Sequence, residues 1–285
     1  MTRRFLCSTL MAALVGSFTL NAADPIPAAA RTNGWALGCQ AWSFNKFSAF
    51  EAIEKTAASG AKCIEFFPGQ KLSPEKPDQK LDHSASPEIV EAVQAKLKKE
   101  GITAVAYGVV GIPKDEAGAR KVFEFAKKLG IKVINTESAD AIDTIEKMVK
   151  EYDIKVGFHD HPKREKDPGY KMWDPNYILQ LVKDRDPRIG SCADTGHWLR
   201  SGLKPTDCIA LLKGHIVSSH FKDLHKAPDG HDVPWGTGVS DAVGQLKALK
   251  AAGFDGPLSV EYEHDWDNNL PSITKCVDFI KQQQP

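Results

Sequence analysis

The chain has 285 residues, with 37 basic and 37 acidic side chains and a formal net charge of zero. Its 42% hydrophobic and 26% charged residues are ordinary for a folded protein, and they exclude a disordered chain, a collagen-like chain and a disulfide-dense mini-protein. The balanced charge also argues against a nucleic-acid binder that works by bulk positive charge.

The first 23 residues differ in composition from the rest of the chain. Arg3 and Arg4 give a short positive start, residues 5–20 are almost wholly apolar, and small residues follow at 21–23. This order is typical of a secretory signal peptide, so we expect a signal peptide at 1–23 and a mature domain at 24–285. A membrane anchor is the alternative, but this apolar run is shorter than the roughly 20 residues that a spanning helix needs. We therefore expect a periplasmic or secreted protein with no membrane span after cleavage.

From residue 35 onward, short apolar runs alternate with amphipathic stretches about eight times. Alternation of this kind indicates parallel β/α units. The predicted strands are 35–40, 62–66, 102–107, 131–137, 154–159, 188–194, 215–220 and 257–261. The predicted helices are 47–59, 87–100, 114–129, 140–150, 175–183, 205–213, 241–252 and 270–282.

Eight β/α units predict an α/β protein with a single closed (β/α)8 TIM barrel. The alternative is an open doubly wound sheet, which normally carries a Gly-rich phosphate loop after its first strand. Residues 40–44 (QAWSF) contain no glycine, which favours the barrel. The polar, Pro-containing segment 71–86 is predicted to be a long loop over one barrel mouth. Five cysteines follow residue 24 without a C-x-x-C pair, so the sequence leaves their disulfide state open.

Carboxylates and imidazoles follow at least six of the eight predicted strands. In a barrel of this kind the active site lies at the C-terminal ends of the strands, where the loops converge. Like charges gathered there need a counter-charge, which a divalent cation supplies. The predicted metal ligands are Glu137, Asp194, His220 and Glu261. Three carboxylates and one imidazole suit manganese, cobalt, magnesium or zinc.

Four segments of the sequence resemble segments of a known protein family. They are ADTGH at 193–197, HFKD at 220–223, WGTG at 235–238 and AGFDGPLSVEYE at 252–263. In this order they resemble the xylose isomerase-like TIM barrel superfamily, within it the sugar phosphate isomerase/epimerase group, over about residues 35–282. The resemblance implies the same four metal ligands and a substrate contact at His197. It departs from the ketohexose epimerases at Lys226, where those enzymes carry an arginine that binds a substrate oxygen.

The expected reaction is removal of a proton from a carbon next to a carbonyl, through an enediolate that the metal stabilises. Glu137 and Glu261 are the expected acid and base. Return of the proton makes the enzyme an isomerase or epimerase. A leaving group at the β carbon makes the same site a lyase or dehydratase on keto-sugars or 3-keto-glycosides, which is the alternative function. The other expected substrate contacts are His159, His161, Lys222 and Glu65.

Two further functions fit the sequence less well. An endonuclease of the apurinic-site type needs a multi-zinc cluster with more histidines, and zero net charge gives no footprint for DNA. A non-enzymatic sugar-binding barrel would tolerate the loss of a metal ligand, yet all four are present. A small carbohydrate is therefore the expected partner. The sequence leaves the sugar, the metal and the oligomeric state open, and it is compatible with a homo-oligomer.

Overall fold

Eight parallel strands close into a ring in the computed structural model, which describes residues 25–283. The ring order is β1-β2-β5-β6-β7-β8-β9-β10, with β10 pairing back onto β1, so the predicted TIM barrel is confirmed. The strands are β1 (Ala36–Gln40), β2 (Cys63–Phe66), β3 (Gln70–Ser73), β4 (Lys76–Leu81), β5 (Thr103–Tyr107), β6 (Val133–Thr136), β7 (Lys155–His159), β8 (Ile189–Asp194), β9 (Ile216–Phe221) and β10 (Pro257–Val260). The predicted signal peptide at 1–23 lies outside the described residues and stays a prediction.

Helices cover the outside of the barrel, and most of them fall where the amphipathic pattern predicts. A short helix that follows β8 directly was not predicted, because the same aspartate ends the strand and caps the helix. The helices are α1 (Ala49–Ser59), α2 (Pro87–Glu100), α3 (Glu116–Lys128), α4 (Ile142–Tyr152), α5 (Pro175–Val182), α6 (Thr195–Arg200), α7 (Pro205–Leu211), α8 (Ala242–Ala251) and α9 (Leu270–Gln282).

The sequence predicts a loop at 71–86, but residues 70–81 form an antiparallel hairpin, so that prediction is wrong for most of the segment. Strands β3 and β4 pair with each other and stay separate from the barrel. Leu72 and Leu81 anchor the hairpin in the core, and both are buried. Most other residues of β4 are exposed, and an edge strand tolerates the missing N–H of Pro77. The polar and Pro-containing composition thus belongs to an exposed edge.

The apolar core lies mainly between the barrel and its helices, while a small cluster covers the start of the first strands. In that cluster Ile26 and Ala30 pack on Ala36, Cys63 and Val105. The cysteines from residue 25 to 283 are all buried and free, so this part of the chain contains no disulfide. No helix within the described range is long and apolar enough to cross a membrane.

A serine cap gives a test of the helix boundaries. Ser48 caps α1 in a capping box with Glu51, in which each side chain bonds the other residue's backbone N–H. We expect Ser48→Ala to lower the free energy of unfolding by about 0.5–2 kcal/mol, measured by urea denaturation. Ser86→Ala is the matched control, because Ser86 precedes α2 without a side-chain cap bond. Equal losses for the two variants would contradict the role of the capping box.

Candidate metal centre and active site

Four polar side chains from neighbouring strands meet at the C-terminal end of the barrel. His159 ends β7, Asp194 ends β8, His220 lies in β9 and Glu261 follows β10. One ligand atom from each lies within 4.8 Å of the others, and all four residues are buried. The strand register explains the meeting, because Asp194 pairs laterally with His220. These four residues could together hold one metal ion, and we call this group of side chains the metal cluster.

The metal cluster contains three of the four predicted ligands, and His159 takes the fourth place. The remaining predicted ligand, Glu137, follows β6 and belongs to a second group with His159 and His161. The imidazole of His159 lies between the two groups. Its Nε2 atom is 3.7 Å from Asp194 Oδ2, and its Nδ1 atom is 3.5 Å from Glu137 Oε1.

Glu65 lies directly behind His220, away from the cavity. Its Oε1 atom accepts hydrogen bonds from His220 Nε2 at 2.9 Å and from Asn135 Nδ2 at 2.7 Å, and its Oε2 atom accepts one from Ser259 at 2.8 Å. The Glu65 side chain is 0% exposed. A proton on Nε2 leaves His220 Nδ1 with a lone pair, and this atom is 3.3 Å from Glu261 Oε2. Glu65 is therefore placed to orient an imidazole, whereas the sequence suggested contact with the substrate.

Lys222 is the only ammonium group among the described residues that touches the metal cluster. Its Nζ atom is 2.8 Å from Asp194 Oδ2, 2.7 Å from Glu261 Oε2 and 2.8 Å from Glu263 Oε2. Burial alone would lower the pKa of Lys222, but these carboxylates raise it well above its usual value. The side chain is completely buried. It is thus committed to ion pairs, and the expected contact with substrate has no exposed atom to make it.

The donors of the metal cluster suit a divalent ion. Both ring nitrogens of His159 and Nδ1 of His220 are buried and have no hydrogen-bond partner within residues 25–283. Asp194, Glu261 and Glu263 contact the ammonium of Lys222, and Glu263 and Asp232 contact the guanidinium of Arg200, so two cations face four carboxylates and two negative charges remain to be balanced. Burial alone would lower the pKa of His159, but the neighbouring carboxylates of Asp194 and Glu137 raise it to about 10. Two imidazoles and two carboxylates are a common donor set for manganese, cobalt or zinc.

A second pair of residues stands beside the metal cluster. His161 Nδ1 is hydrogen-bonded to Glu137 Oε1, and the Tyr170 hydroxyl donates to Glu137 Oε2 at 3.2 Å. Burial alone would raise the pKa of Glu137, but the imidazoles of His159 and His161 hold it well below its usual range. Glu137 is therefore ionised. Its bond to His161 Nδ1 leaves the Nε2 atom of that ring for other contacts.

His197 contacts the metal cluster from the short helix α6. Its backbone N–H donates to Asp194 Oδ1 at 2.8 Å, and its Nε2 atom is 3.5 Å from Asp194 Oδ2. Arg200 Nη1 donates to His197 Nδ1 at 3.3 Å. Burial lowers the pKa of His197 well below its usual value. The neutral ring then carries its proton on Nε2, as a hydrogen-bond donor.

The metal cluster opens into a cavity of about 240 Å³. Its wall has two arcs with different chemistry. Residues at the ends of β1, β2 and β5 form the first arc, which is largely apolar, and residues at the ends of β7, β8 and β10 form the second, which is polar. The first arc contains Gln40, Trp42, Phe67, Pro68, Gly108 and Val109, and the second contains His159, His161, His197, Glu261 and Glu263.

The predicted site residues thus divide by position. His159, His161, His197 and Glu261 line the cavity, whereas Glu65 and Lys222 lie behind the metal cluster. Glu137 reaches the cavity through His161. Lys226 is exposed and lies outside the cavity wall.

Sequence reasoning missed the contributions of Glu263, Tyr170 and Arg200. Glu263 had a signal, because it stands two residues after Glu261 and so falls on the same side of an extended chain. Tyr170 and Arg200 lie in a loop and a helix, and no strand-end pattern marks them.

Comparisons with known proteins agree with this architecture. The family model described as xylose isomerase-like TIM barrel matches residues 53–283. L-ribulose-5-phosphate 3-epimerase of Salmonella typhi is 26% identical over 184 residues, which are 57% of this chain and 61% of that protein. The match thus spans less than two thirds of that curated relative.

Two solved structures are also similar. A protein of Parabacteroides distasonis without an assigned function has a TM-score of 0.70 and 29% identity, covering 87% of this chain and 99% of its own. The D-allulose 3-epimerase from Methylomonas sp. has a TM-score of 0.67 and 16% identity, covering 86% and 96%. At that identity the second likeness shows a shared fold.

Manganese binding tests the arrangement of the metal cluster. We expect Glu65→Gln to weaken Mn²⁺ binding by about 10–100-fold, because the amide orients the His220 imidazole less firmly. His220→Gln should weaken binding further, because it removes a donor. Isothermal titration calorimetry measures both effects.

The control for this test is His215→Gln, at the opposite end of the same strand. It should bind Mn²⁺ as the wild type does. Equal Mn²⁺ affinities for wild type, Glu65→Gln and His220→Gln would rule out the assigned metal cluster.

Proposed function

Since the chain belongs to the xylose isomerase-like TIM barrel family, we propose that it is a divalent-metal-dependent carbohydrate epimerase or isomerase. The observation that carries this proposal is the buried metal cluster under a small cavity, with His161 and Glu261 both on the cavity wall. The curated relative supports a sugar epimerisation, since it is named an L-ribulose-5-phosphate 3-epimerase. The volume of about 240 Å³ also favours a small substrate, because pockets for larger ligands are about 300–1,000 Å³.

His159, Asp194, His220 and Glu261 would hold the divalent ion. Bound there, the ion would supply positive charge next to a substrate carbonyl and make the neighbouring C–H more acidic. Glu65 orients His220 from behind through a hydrogen bond to Nε2, and Glu137 Oε1 lies 3.5 Å from His159 Nδ1. A hydrogen-bonded carboxylate–histidine pair such as Glu65 with His220 fixes the tautomer and the ring orientation of a metal-binding imidazole.

Two groups on the cavity wall can exchange a proton with the substrate. Glu261 takes a proton on a carboxylate oxygen, and it comes from the end of β10. His161 exchanges a proton at Nε2, and it comes from the loop after β7, with Glu137 stabilising its positive charge through Nδ1. Because the groups belong to different strands, one can remove the proton while the other returns it. Glu137, which the sequence suggested as the second acid or base, acts here through His161.

His197 positions the substrate. His197 lines the cavity, and Arg200 favours the tautomer with a proton on Nε2 by donating to Nδ1. Its ring also stacks on His161, with centroids 5.0 Å apart. An oxygen bound by His197 is therefore held next to the group that exchanges the proton, which favours the reaction by orientation.

Deuterium incorporation tests the proposed reaction. In heavy water, the Mn²⁺-loaded protein is expected to place solvent deuterium on the carbon next to the carbonyl of a ketose, followed by NMR. Glu261→Gln should lower the exchange rate by at least about 100-fold, whereas Glu88→Gln on an exposed part of α2 should leave it unchanged.

Other results of this experiment would change the assignment. Full exchange in Glu261→Gln would remove Glu261 from proton transfer. Release of water or an aglycone from a keto-sugar or 3-keto-glycoside, without epimerisation, would assign the lyase function instead.

A double-mutant cycle tests whether Glu137 and His161 act as a unit. We expect His161→Asn to lower kcat by about 100-fold or more and Glu137→Gln to lower it less. The double variant should be close to His161→Asn alone, because Glu137 contributes through that ring. Additive effects on kcat, measured with the same NMR assay, would instead give Glu137 a separate role.

A further inference from the structure

Trp42 lines the cavity. It is 41% exposed, although it is one of the largest apolar side chains. Phe67 meets it edge-on at a centroid distance of 5.1 Å and an angle of 87°, and Trp266 does so at 6.5 Å and 81°. These neighbours fix the orientation of the indole. The negative face of an aromatic ring attracts weakly positive C–H groups, such as those on one face of a sugar ring.

The opposite arc of the cavity carries carboxylates. Glu261 and Glu263 both line it, and each is bonded to the same Lys222 ammonium group. The Glu263 side chain is 25% exposed. A phosphate group bound here would lie near two carboxylates, and such like-charge contacts weaken binding.

The cations near the cavity are already paired. No lysine or arginine within residues 25–283 lines the cavity wall, whereas proteins usually bind phosphate with such side chains. Arg200 binds Asp232 through Nη2 at 2.9 Å and lies 3.8 Å from Glu263 through Nη1, and Lys222 is enclosed by carboxylates.

The cations of the loop after β7 are also engaged. Lys163 lies over the ring of Trp173 at 4.9 Å, and Arg164 lies over that of Tyr170 at 3.7 Å. Neither belongs to the cavity wall.

We propose that the substrate is an uncharged, unphosphorylated sugar whose C–H face packs on Trp42 while its hydroxyl and carbonyl oxygens face the polar arc. This inference rests on the proposed function and names its substrate class. The proposed substrate differs from that of the curated relative, whose name specifies a sugar with a 5-phosphate. Trp42 and Glu263 are the specificity-determining residues, the first by packing on the sugar and the second by repelling phosphate.

A matched pair of sugars tests the inference. L-ribulose and L-ribulose 5-phosphate differ only in the phosphate group, and their binding to the Mn²⁺-loaded full chain is measured by calorimetry. We expect the free sugar to bind at least about tenfold more tightly than the phosphate. Glu263→Gln should narrow this ratio, because it removes one repelling charge.

Trp42→Ala tests the aromatic contact separately. It should weaken binding of the free sugar by about tenfold, whereas Trp173→Ala, outside the cavity, should not. Tighter binding of the 5-phosphate, or no measurable binding of either sugar, would overturn the inference. Tighter phosphate binding would leave the proposed epimerase reaction standing. If the free sugar bound but no deuterium exchange occurred, the epimerase proposal would fail and the inference about the substrate class would stand.

Discussion

One buried ammonium group shared by three carboxylates determines how this barrel mouth is organised. Lys222 contacts Asp194, Glu261 and Glu263, and Arg200 contacts Glu263 and Asp232, so two positive charges face four carboxylates and cannot balance them. Buried charges need compensation, because water is not available to solvate them. The same need explains why His159 and His220 stand beside these carboxylates, and why a divalent ion suits the space between them. The chemistry proposed for the protein therefore follows from a local shortage of positive charge.

The barrel creates that shortage by its geometry. Parallel strands place their last residues at one end, so polar side chains from β7 to β10 accumulate there. The adjacent strands β1, β2 and β5 end in largely apolar groups, among them Trp42 and Phe67. A cavity with one polar and one apolar arc results, and it matches a sugar ring, which has polar edges and C–H faces. The proposed reaction thus belongs to the polar arc, whereas the proposed substrate class depends on both arcs, through Trp42 and Glu263.

Much of this could be predicted from the sequence, and the failures have physical causes. The strands and helices follow hydrophobic periodicity, which is a local property, and the barrel follows from their alternation. The hairpin at 70–81 was missed because an exposed edge strand has the composition of a loop. Asp194, His220 and Glu261 could be found as strand-end residues. The sequence predicts Glu137 as a ligand and His159 as a substrate contact, because both stand at strand ends and only the structure shows that His159 lies within reach of the other three residues. Glu65 was predicted to contact the substrate, but it is buried behind His220. Its position at the end of a strand does not show whether it is buried.

Asp194, the last residue of β8, also caps the start of α6, and this affects which parts of the site can change during evolution. Asp194 binds Lys222 through Oδ2 and the His197 backbone through Oδ1. The proposed hydrogen-bond donor for substrate, His197, and the proposed ion ligand, Asp194, are therefore joined directly by a hydrogen bond. A substitution that shifts either one displaces both, so new substrates are more easily acquired through the loops after β1 and β2, which take no part in the charge network. Within this lineage, variation in ligand preference should concentrate around the counterparts of Trp42 and Phe67.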